Sequence, residues 1–135
     1  MKIRGVLLLV LTAFIYLESA SGQSSVGVGL QISDSSGPII NLVLPVNNSG
    51  SPHGNITFFY NVSDLSSVSN CSLIVNNNVN ATNKSILKVP SENFFKVNDL
   101  AVGSYNWSIN CTDSFGFNGG SNNRAFLVIF MTNFN

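Results

Sequence analysis

The chain has 135 residues, enough for one domain and too few for two ordinary ones. Hydrophobic residues make up 44% and charged residues only 9%, so most of the polarity comes from 20 Asn and 20 Ser. Six basic and six acidic side chains cancel, and no polybasic stretch of the kind that binds nucleic acid is present. We therefore expect a globular domain whose partners do not include nucleic acid.

The N-terminus has the parts of a secretory signal peptide. Residues 1–4 are basic, residues 5–17 are an apolar run, and Ala20 and Gly22 are the small residues that precede a cut ahead of Gln23. An uncleaved membrane anchor is the alternative, but 13 apolar residues fall short of the roughly 18 that span a bilayer. We predict that residues 1–22 are a signal peptide and that the protein is extracellular or at the cell surface.

The composition after this leader favours β-structure. Of residues 23–135, only 10 are Ala, Glu, Lys, Gln or Arg, whereas 36 are Val, Ile, Thr, Phe, Tyr or Trp. Residues 23–37 are rich in Ser and Gly and are predicted to be a linker. They also alternate apolar with other residues, so an additional edge strand is the second interpretation.

Alternation and turn residues place seven short strands in the remainder of the chain. The predicted strands are 39–44, 55–63, 70–76, 85–89, 94–100, 104–113 and 123–130, with a turn at 47–54 and a loop at 77–83. Seven such strands in about 100 residues are typical of an immunoglobulin-like β-sandwich. We expect this all-β domain to span residues 38–131, followed by a short tail at 132–135.

Period-two alternation also predicts which side chains face the core. The predicted inward residues of the second, third and sixth strands are Ile56, Phe58, Tyr60, Val62, Cys71, Leu73, Val75, Tyr105, Trp107, Ile109 and Cys111. The run at 100–105 resembles a tyrosine corner, in which the hydroxyl of Tyr105 hydrogen-bonds to nearby backbone. Tyr105 and Trp107 are therefore expected to be core residues.

Three runs, at 55–64, 70–76 and 100–118, resemble the Ig-like, fibronectin type III-like domains of archaeal cell-surface, S-layer-associated proteins. These domains carry a similar order of Gly, Tyr, Trp, Cys, Asp, Gly and Asn near their end. The resemblance covers residues 38–128 and implies a non-catalytic structural or adhesive module. This chain departs from the pattern in having one copy, where the family often has arrays, and in having Phe117 at a position where a small residue is expected.

Two cysteines are the strongest chemical signal, because an even count in a small exported domain favours a disulfide. Cys71 begins the third predicted strand and Cys111 ends the sixth, and the two strands are expected to be antiparallel neighbours. Both residues have inward parity, so we predict a Cys71–Cys111 disulfide. A metal site lacks ligands, since His53 in a Gly/Pro turn is the only histidine.

Asn-x-Ser/Thr sequons are about twice as frequent as the roughly four expected by chance at this composition. They begin at Asn47, Asn55, Asn61, Asn70, Asn80, Asn83, Asn106 and Asn110. The five that fall on predicted strands all have outward parity. In a host that glycosylates exported proteins, we expect several of them to carry glycans.

Catalysis has little support, because the chain lacks a short-spaced acidic pair and any Cys/His or Gly-x-Ser-x-Gly arrangement. We expect that the protein is not an enzyme and that it binds no cofactor. Asp113 opens a turn and is expected to hydrogen-bond that turn rather than hold calcium. The other acidic residues of the exported part, Asp34, Asp64, Glu92 and Asp99, are scattered in sequence, whereas calcium needs clustered oxygens.

The loop at residues 114–121 contains three glycines and two phenylalanines. Loops at the ends of a sandwich are frequent recognition sites. Phe115 either caps the core beside Trp107 or is exposed, and Phe117, so close to two glycines, is the better candidate for an exposed contact. We expect a surface module that contacts other cell-surface or extracellular proteins; the alternative is a carbohydrate-binding β-sandwich. A direct membrane contact would require an uncleaved signal.

Overall fold

The computed structural model describes residues 10–17 and 26–129, and the chain divides into two compact units, Met1–Ser36 and Gly37–Asn135. The first unit contains β1 (Val10–Leu17) and β2 (Val26–Ser33), which pair antiparallel. β1 lies within the predicted signal peptide and β2 within the segment predicted as linker or edge strand. The rest of residues 1–22 and the tail at 132–135 lie outside the described residues, so the signal peptide stays a prediction.

Within the described residues, the second unit is a sandwich of nine strands in two sheets, which confirms the predicted all-β fold. Its strands are β3 (Ile39–Leu44), β4 (Ser49–Ser51), β5 (Ile56–Ser63), β6 (Val68–Val75), β7 (Asn78–Asn83), β8 (Asn93–Val97), β9 (Gly103–Asp113), β10 (Asn118–Gly120) and β11 (Arg124–Val128). One sheet has the order β4-β11-β9-β6-β7, with β10 paired to the end of β9. The other has the order β3-β5-β8.

The prediction of a loop at residues 77–83 is wrong, because β7 occupies this segment. Asn76 and Asn77 both have positive φ, 48° and 64°, which suits the tight turn of a two-residue hairpin between β6 and β7. β7 is an edge strand, and four of its six residues are Asn or Thr. An edge strand with polar residues on both faces carries little apolar alternation, so the sequence pattern does not reveal it.

The prediction of a strand at residues 85–89 is also wrong, since no strand is present between β7 and β8. The side chain of Asn93 replaces a partner strand here. Its Oδ1 accepts a hydrogen bond from the Leu87 N–H at 2.8 Å, and its Nδ2 donates to the Leu87 carbonyl at 2.6 Å. One buried amide thus satisfies a backbone segment that looked from its composition like an edge strand.

The core lies between the two sheets and contains nearly all of the predicted inward side chains. Phe58, Tyr60, Val62, Leu73, Trp107 and Ile109 are 0% exposed. The ring of Phe58 on β5 meets Trp107 and Phe126 edge-on, with centroids 5.0 and 5.6 Å apart, and so joins the two sheets. Among the described residues, no helix has the length and hydropathy needed to cross a bilayer.

Two further contacts fix the sheets. Cys71 on β6 and Cys111 on β9 lie opposite each other, with Cα atoms 4.0 Å apart, and form the predicted disulfide. At the open side of the sandwich, the guanidinium of Arg124 on β11 donates to the carbonyl oxygens of Leu42, Val43 and Pro45 at 2.7–3.2 Å. Arg124 therefore ties the first strand of the three-stranded sheet to the last strand of the six-stranded sheet.

Candidate functional site: the β9–β10 end of the sandwich

The turn between β9 and β10 projects from one end of the sandwich beside the turn between β5 and β6. Val68, the first residue of β6, pairs with Asp113, the last residue of β9. Two hydrogen bonds join the neighbouring segments: the Ser114 N–H donates to the Ser67 carbonyl at 2.8 Å, and Ser69 Oγ donates to the Asp113 carbonyl at 2.9 Å. The start of the loop is thus attached to the β5–β6 turn and to β6.

Asp113 holds the loop in shape, as the sequence predicts. Its Oδ1 accepts hydrogen bonds from the N–H groups of Phe115 and Phe117, both at 2.8 Å. Its own N–H donates to the Phe117 carbonyl at 3.0 Å. Gly116 has a φ of 90°, a conformation that side chains rarely adopt, which explains the glycine between the two phenylalanines. The loop is therefore a hydrogen-bonded turn of defined shape.

Close backbone contact holds the C-terminal side of the loop against the chain ahead of β3. A Cβ atom on Gly119 would overlap the backbone of Pro38, which leads into β3. Only glycine allows the chain ahead of β3 to lie so near β10. Gly119 thus allows β10 to pack closely against the chain ahead of β3.

Two phenylalanine rings are exposed on this loop. Phe115 is 68% exposed and Phe117 40% exposed, so Phe115 does not cap the core beside Trp107. Leu65 on the adjacent β5–β6 turn is 52% exposed. Apolar side chains on two neighbouring turns therefore face solvent at the same end of the sandwich.

Two acidic residues that are far apart in the sequence lie close together in the structure. A carboxylate oxygen of Asp64, directly after β5, lies within 4.8 Å of one of Asp113. Asp64 Oδ2 accepts a hydrogen bond from Ser66 Oγ at 2.7 Å. Asp113 is 2% exposed, and its Oδ2 has no hydrogen-bond partner among the described residues. Asp99 lies elsewhere, where its N–H donates to Asn55 Oδ1 at the start of β5.

The predicted glycosylation sites differ in how accessible their amides are. Exposed residues include Asn47, Asn55, Asn80, Asn106 and Asn110, whereas Asn61, Asn70 and Asn83 are half-buried. The side-chain oxygens of Asn47, Asn55 and Asn83 accept backbone N–H groups, and that of Asn61 is buried without a partner among the residues described. Glycan occupancy stays a prediction for all eight.

The hydroxyls of the two tyrosines in the sandwich have different surroundings. Tyr105 Oη donates to the Ala101 carbonyl at 2.7 Å, the hydrogen bond expected of a tyrosine corner. Tyr60 Oη is buried and has no partner within residues 26–129, and burial raises the pKa of Tyr60 to about 12. Tyr105 is half-buried, whereas Trp107 is fully buried.

Sequence reasoning missed a second exposed aromatic group. Phe59 and Phe94 pair across β5 and β8 on the outer face of the three-stranded sheet, with ring centroids 5.9 Å apart. Phe94 is 50% exposed, and Lys96 Nζ lies 5.6 Å from its centroid. The signal was present in the two Phe-Phe pairs of the sequence, because alternation along a strand must turn one ring of each pair outward.

Comparison with known proteins agrees with this architecture. No family model and no curated protein matches the sequence. Among solved structures, the fibronectin(III)-like modules of Clostridium thermocellum CbhA are similar, with 20% identity and a TM-score of 0.61 over 70% of this chain and 99% of that chain. An engineered protein has 12% identity and a TM-score of 0.52 over 69% of this chain and 20% of its own. Such low identities show the fold alone, a fibronectin type III-like sandwich.

Proposed function

We propose that this protein is a non-catalytic, exported structural module that contacts other cell-surface or extracellular proteins through the β9–β10 end of its sandwich. One observation carries the proposal: the turn at residues 114–117 has a defined shape and presents Phe115 and Phe117 to solvent. Exposed aromatic rings on a turn of fixed shape favour a binding role, because aromatic side chains are enriched at protein interfaces. Archaeal cell-surface origin, as the sequence resemblance implies, belongs to the same proposal.

Rigidity of the loop supports a binding role. Binding by a mobile loop loses free energy to the ordering of the loop, whereas a preformed loop avoids that loss. Asp113 holds both phenylalanine N–H groups through one carboxylate oxygen, and Gly119 seats the loop against the backbone of Pro38. The rings therefore project from a fixed base, as contact residues at the centre of a protein interface do.

Two other parts of the proposal, export and the lack of catalytic activity, are supported more indirectly. The fold is that of fibronectin type III-like modules, and the disulfide is typical of oxidising compartments. The sequence adds the leader at residues 1–22 and no arrangement of a nucleophile with a base. Together these features favour a module that works by contact outside the cytoplasm.

The test compares Phe117→Ala with a matched control. Because Phe117 is 40% exposed at a loop tip, we expect its removal to change the free energy of unfolding by less than about 1 kcal/mol. Binding of the labelled exported protein to intact cells of the source organism should weaken by about 30-fold, the effect of losing 2 kcal/mol at an interface centre. Phe94→Ala removes a ring of similar exposure from the other sheet and should leave binding unchanged.

Three results would contradict the proposal. Loss of several kcal/mol of stability in Phe117→Ala would make the residue part of the core. Equal loss of binding in Phe94→Ala would show that the loop has no special role. Unchanged binding in the Phe115→Ala, Phe117→Ala double variant would exclude the loop from the contact altogether.

Carbohydrate binding is the second candidate, because sugars stack on exposed aromatic rings and this end of the sandwich presents two of them. The same variants separate the two classes. If wild-type protein binds a glycan array and Phe117→Ala abolishes that signal, the ligand is a carbohydrate. If the array shows no binding while cell binding persists and resists glycosidase treatment, the partner is a protein.

A further inference from the structure

One carboxylate oxygen of the sandwich is buried without a partner. Asp113 is 2% exposed; its Oδ1 accepts two backbone N–H groups, but its Oδ2 has no hydrogen-bond partner among residues 10–17 and 26–129. An unpaired anionic oxygen removed from water destabilises a fold strongly unless a positive group compensates it. The turn-holding role of Asp113 accounts for one of its oxygens and leaves the other unexplained.

A second carboxylate lies beside it, although the two residues are 49 positions apart in the chain. One oxygen of Asp64 is within 4.8 Å of one of Asp113. Two carboxylates so close repel each other if both are ionised. Two oxygens that bind the same Ca²⁺ at 2.3–2.6 Å lie at most about 5 Å apart, so the separation suits a shared ion.

We propose that Asp64 and Asp113 form a calcium site where the β5–β6 turn meets the β9–β10 turn. Asp113 Oδ2 would be one ligand, a carboxylate oxygen of Asp64 the other, and water would complete the six to eight oxygens that calcium takes. Calcium fits better than magnesium because two carboxylates on separate turns do not impose the regular octahedron that magnesium demands.

The ammonium group of Lys88 lies beside the β5–β6 turn but does not pair with Asp113 Oδ2. Lys88 Nζ donates to the carbonyl oxygens of Asp64 and Ser66 at 3.0 and 2.7 Å. It contacts the backbone of the β5–β6 turn and leaves Asp113 Oδ2 without a partner among the described residues. With two protein carboxylates and one nearby ammonium, we expect the weak affinity of extracellular calcium modules, a Kd of about 0.1–1 mM.

Calcium at this position would brace the base of the exposed loop. The Ser114 N–H to Ser67 carbonyl hydrogen bond joins the same two turns. An ion bound by Asp64 and Asp113 would add a second link between them. The site does not depend on the partner contact proposed for Phe115 and Phe117, so either proposal can fail without the other.

Thermal unfolding of the full-length chain tests the site after treatment with a chelator. We expect about 10 mM CaCl2 to raise Tm by about 5 °C over NaCl of equal ionic strength, and MgCl2 to raise it by less. Asp64→Asn should abolish the calcium-dependent rise. Asp99→Asn, an exposed carboxylate at the other end of β5, is the matched control and should retain it in full.

Calorimetric titration with CaCl2 provides an independent measurement. The wild-type protein should bind one calcium ion, and Asp64→Asn should weaken binding at least about 10-fold, since even the outer-shell partners of a metal site contribute about that much. Asp113→Asn is the second variant, but it also disturbs the loop, so the decision rests on Asp64→Asn. The proposal is overturned if calcium shifts Tm no more than NaCl does, or if Asp64→Asn binds calcium as the wild type does.

Discussion

The two sheets of the sandwich share one core but are held together by different interactions. The six-stranded sheet contains the Cys71–Cys111 disulfide, the hydroxyl contact of Tyr105 and the carboxylate clamp of Asp113. On the three-stranded sheet the ring of Tyr60 stacks on Phe95, with centroids 5.7 Å apart, while the Tyr60 hydroxyl has no partner among the described residues. Both sheets contribute side chains to the apolar core, but the tyrosine of the six-stranded sheet has a hydroxyl partner and that of the three-stranded sheet has none among the described residues.

The directional contacts of the six-stranded sheet include two that lie next to the candidate contact loop. The loop begins at Asp113, two residues after the disulfide-bonded Cys111. A disulfide and a set of short hydrogen bonds fix geometry, whereas apolar contacts are non-directional. The strand that bears the loop is therefore held by a disulfide and by hydrogen bonds close to the loop, as suits a strand that positions contact residues.

Removal of the disulfide should have the largest effect. Cys71 and Cys111 are separated by 40 positions, and closing such a loop in the unfolded chain is worth roughly 4 kcal/mol in the chain-entropy model. We expect Cys71→Ala, Cys111→Ala to lose about that much unfolding free energy in urea. Reducing agent should destabilise the wild type to a similar extent and leave the double variant unchanged. A loss below 1 kcal/mol in both experiments would mean that packing alone holds the six-stranded sheet.

Burial of Tyr60 should make the three-stranded sheet sensitive to alkaline pH. The pKa of Tyr60 is raised from 10.0 to about 12 by desolvation, so the folded state resists ionisation more than the unfolded state does. The resulting stability is complete below pH 10 and is lost as the pH rises through 12. Two pKa units correspond to roughly 3 kcal/mol.

Urea unfolding between pH 9 and 12 measures this loss, with Tyr60→Phe as the matched variant. The two proteins differ only at this position, so the difference between the two curves isolates Tyr60. We expect the wild type to lose stability relative to the variant above pH 10. Parallel curves would show that the hydroxyl ionises as readily in the folded state as in the unfolded state.

Much of the fold is predictable from the sequence because the core strands alternate strictly. The side chains of β5 are alternately buried and half-buried along all eight residues, so parity alone identifies Phe58 and Tyr60 as core residues. The disulfide follows from the same parity together with the expected antiparallel pairing. Segments at the sheet edges are not predictable in this way. β7 is polar on both faces and so shows no apolar alternation. The backbone of Leu87 is hydrogen-bonded by the side chain of Asn93 and not by a partner strand.

The candidate site is predictable only in part. The Asp113 turn and its exposed phenylalanines are local features, so a window of a few residues suffices to propose them. The proximity of Asp64 to Asp113 is not local, because it depends on how β5 and β9, in different sheets, end at the same side of the sandwich. Sequence spacing carries no information on such a meeting of loops.

The smallest expected effect comes from Tyr105→Phe on the six-stranded sheet. The Tyr105 ring stacks on Phe126, with centroids 5.2 Å apart, and the substitution keeps this contact. It removes only the 2.7 Å hydrogen bond to the Ala101 carbonyl. Because Ala101 is exposed and its carbonyl can turn to water instead, we expect a loss of about 1 kcal/mol.

The same substitution on the other sheet should have the opposite sign at pH 7. Tyr60→Phe removes a buried hydroxyl that has no partner in the described part of the chain, so it should leave the protein as stable or raise its stability by about 1 kcal/mol. Urea unfolding of both variants in one buffer measures the two changes. Opposite signs would show that the Tyr105 hydroxyl stabilises the six-stranded sheet and that the Tyr60 hydroxyl does not stabilise the three-stranded one. Equal losses would mean that the Tyr60 hydroxyl has a buried partner, such as an internal water, and that the two sheets do not differ in this respect.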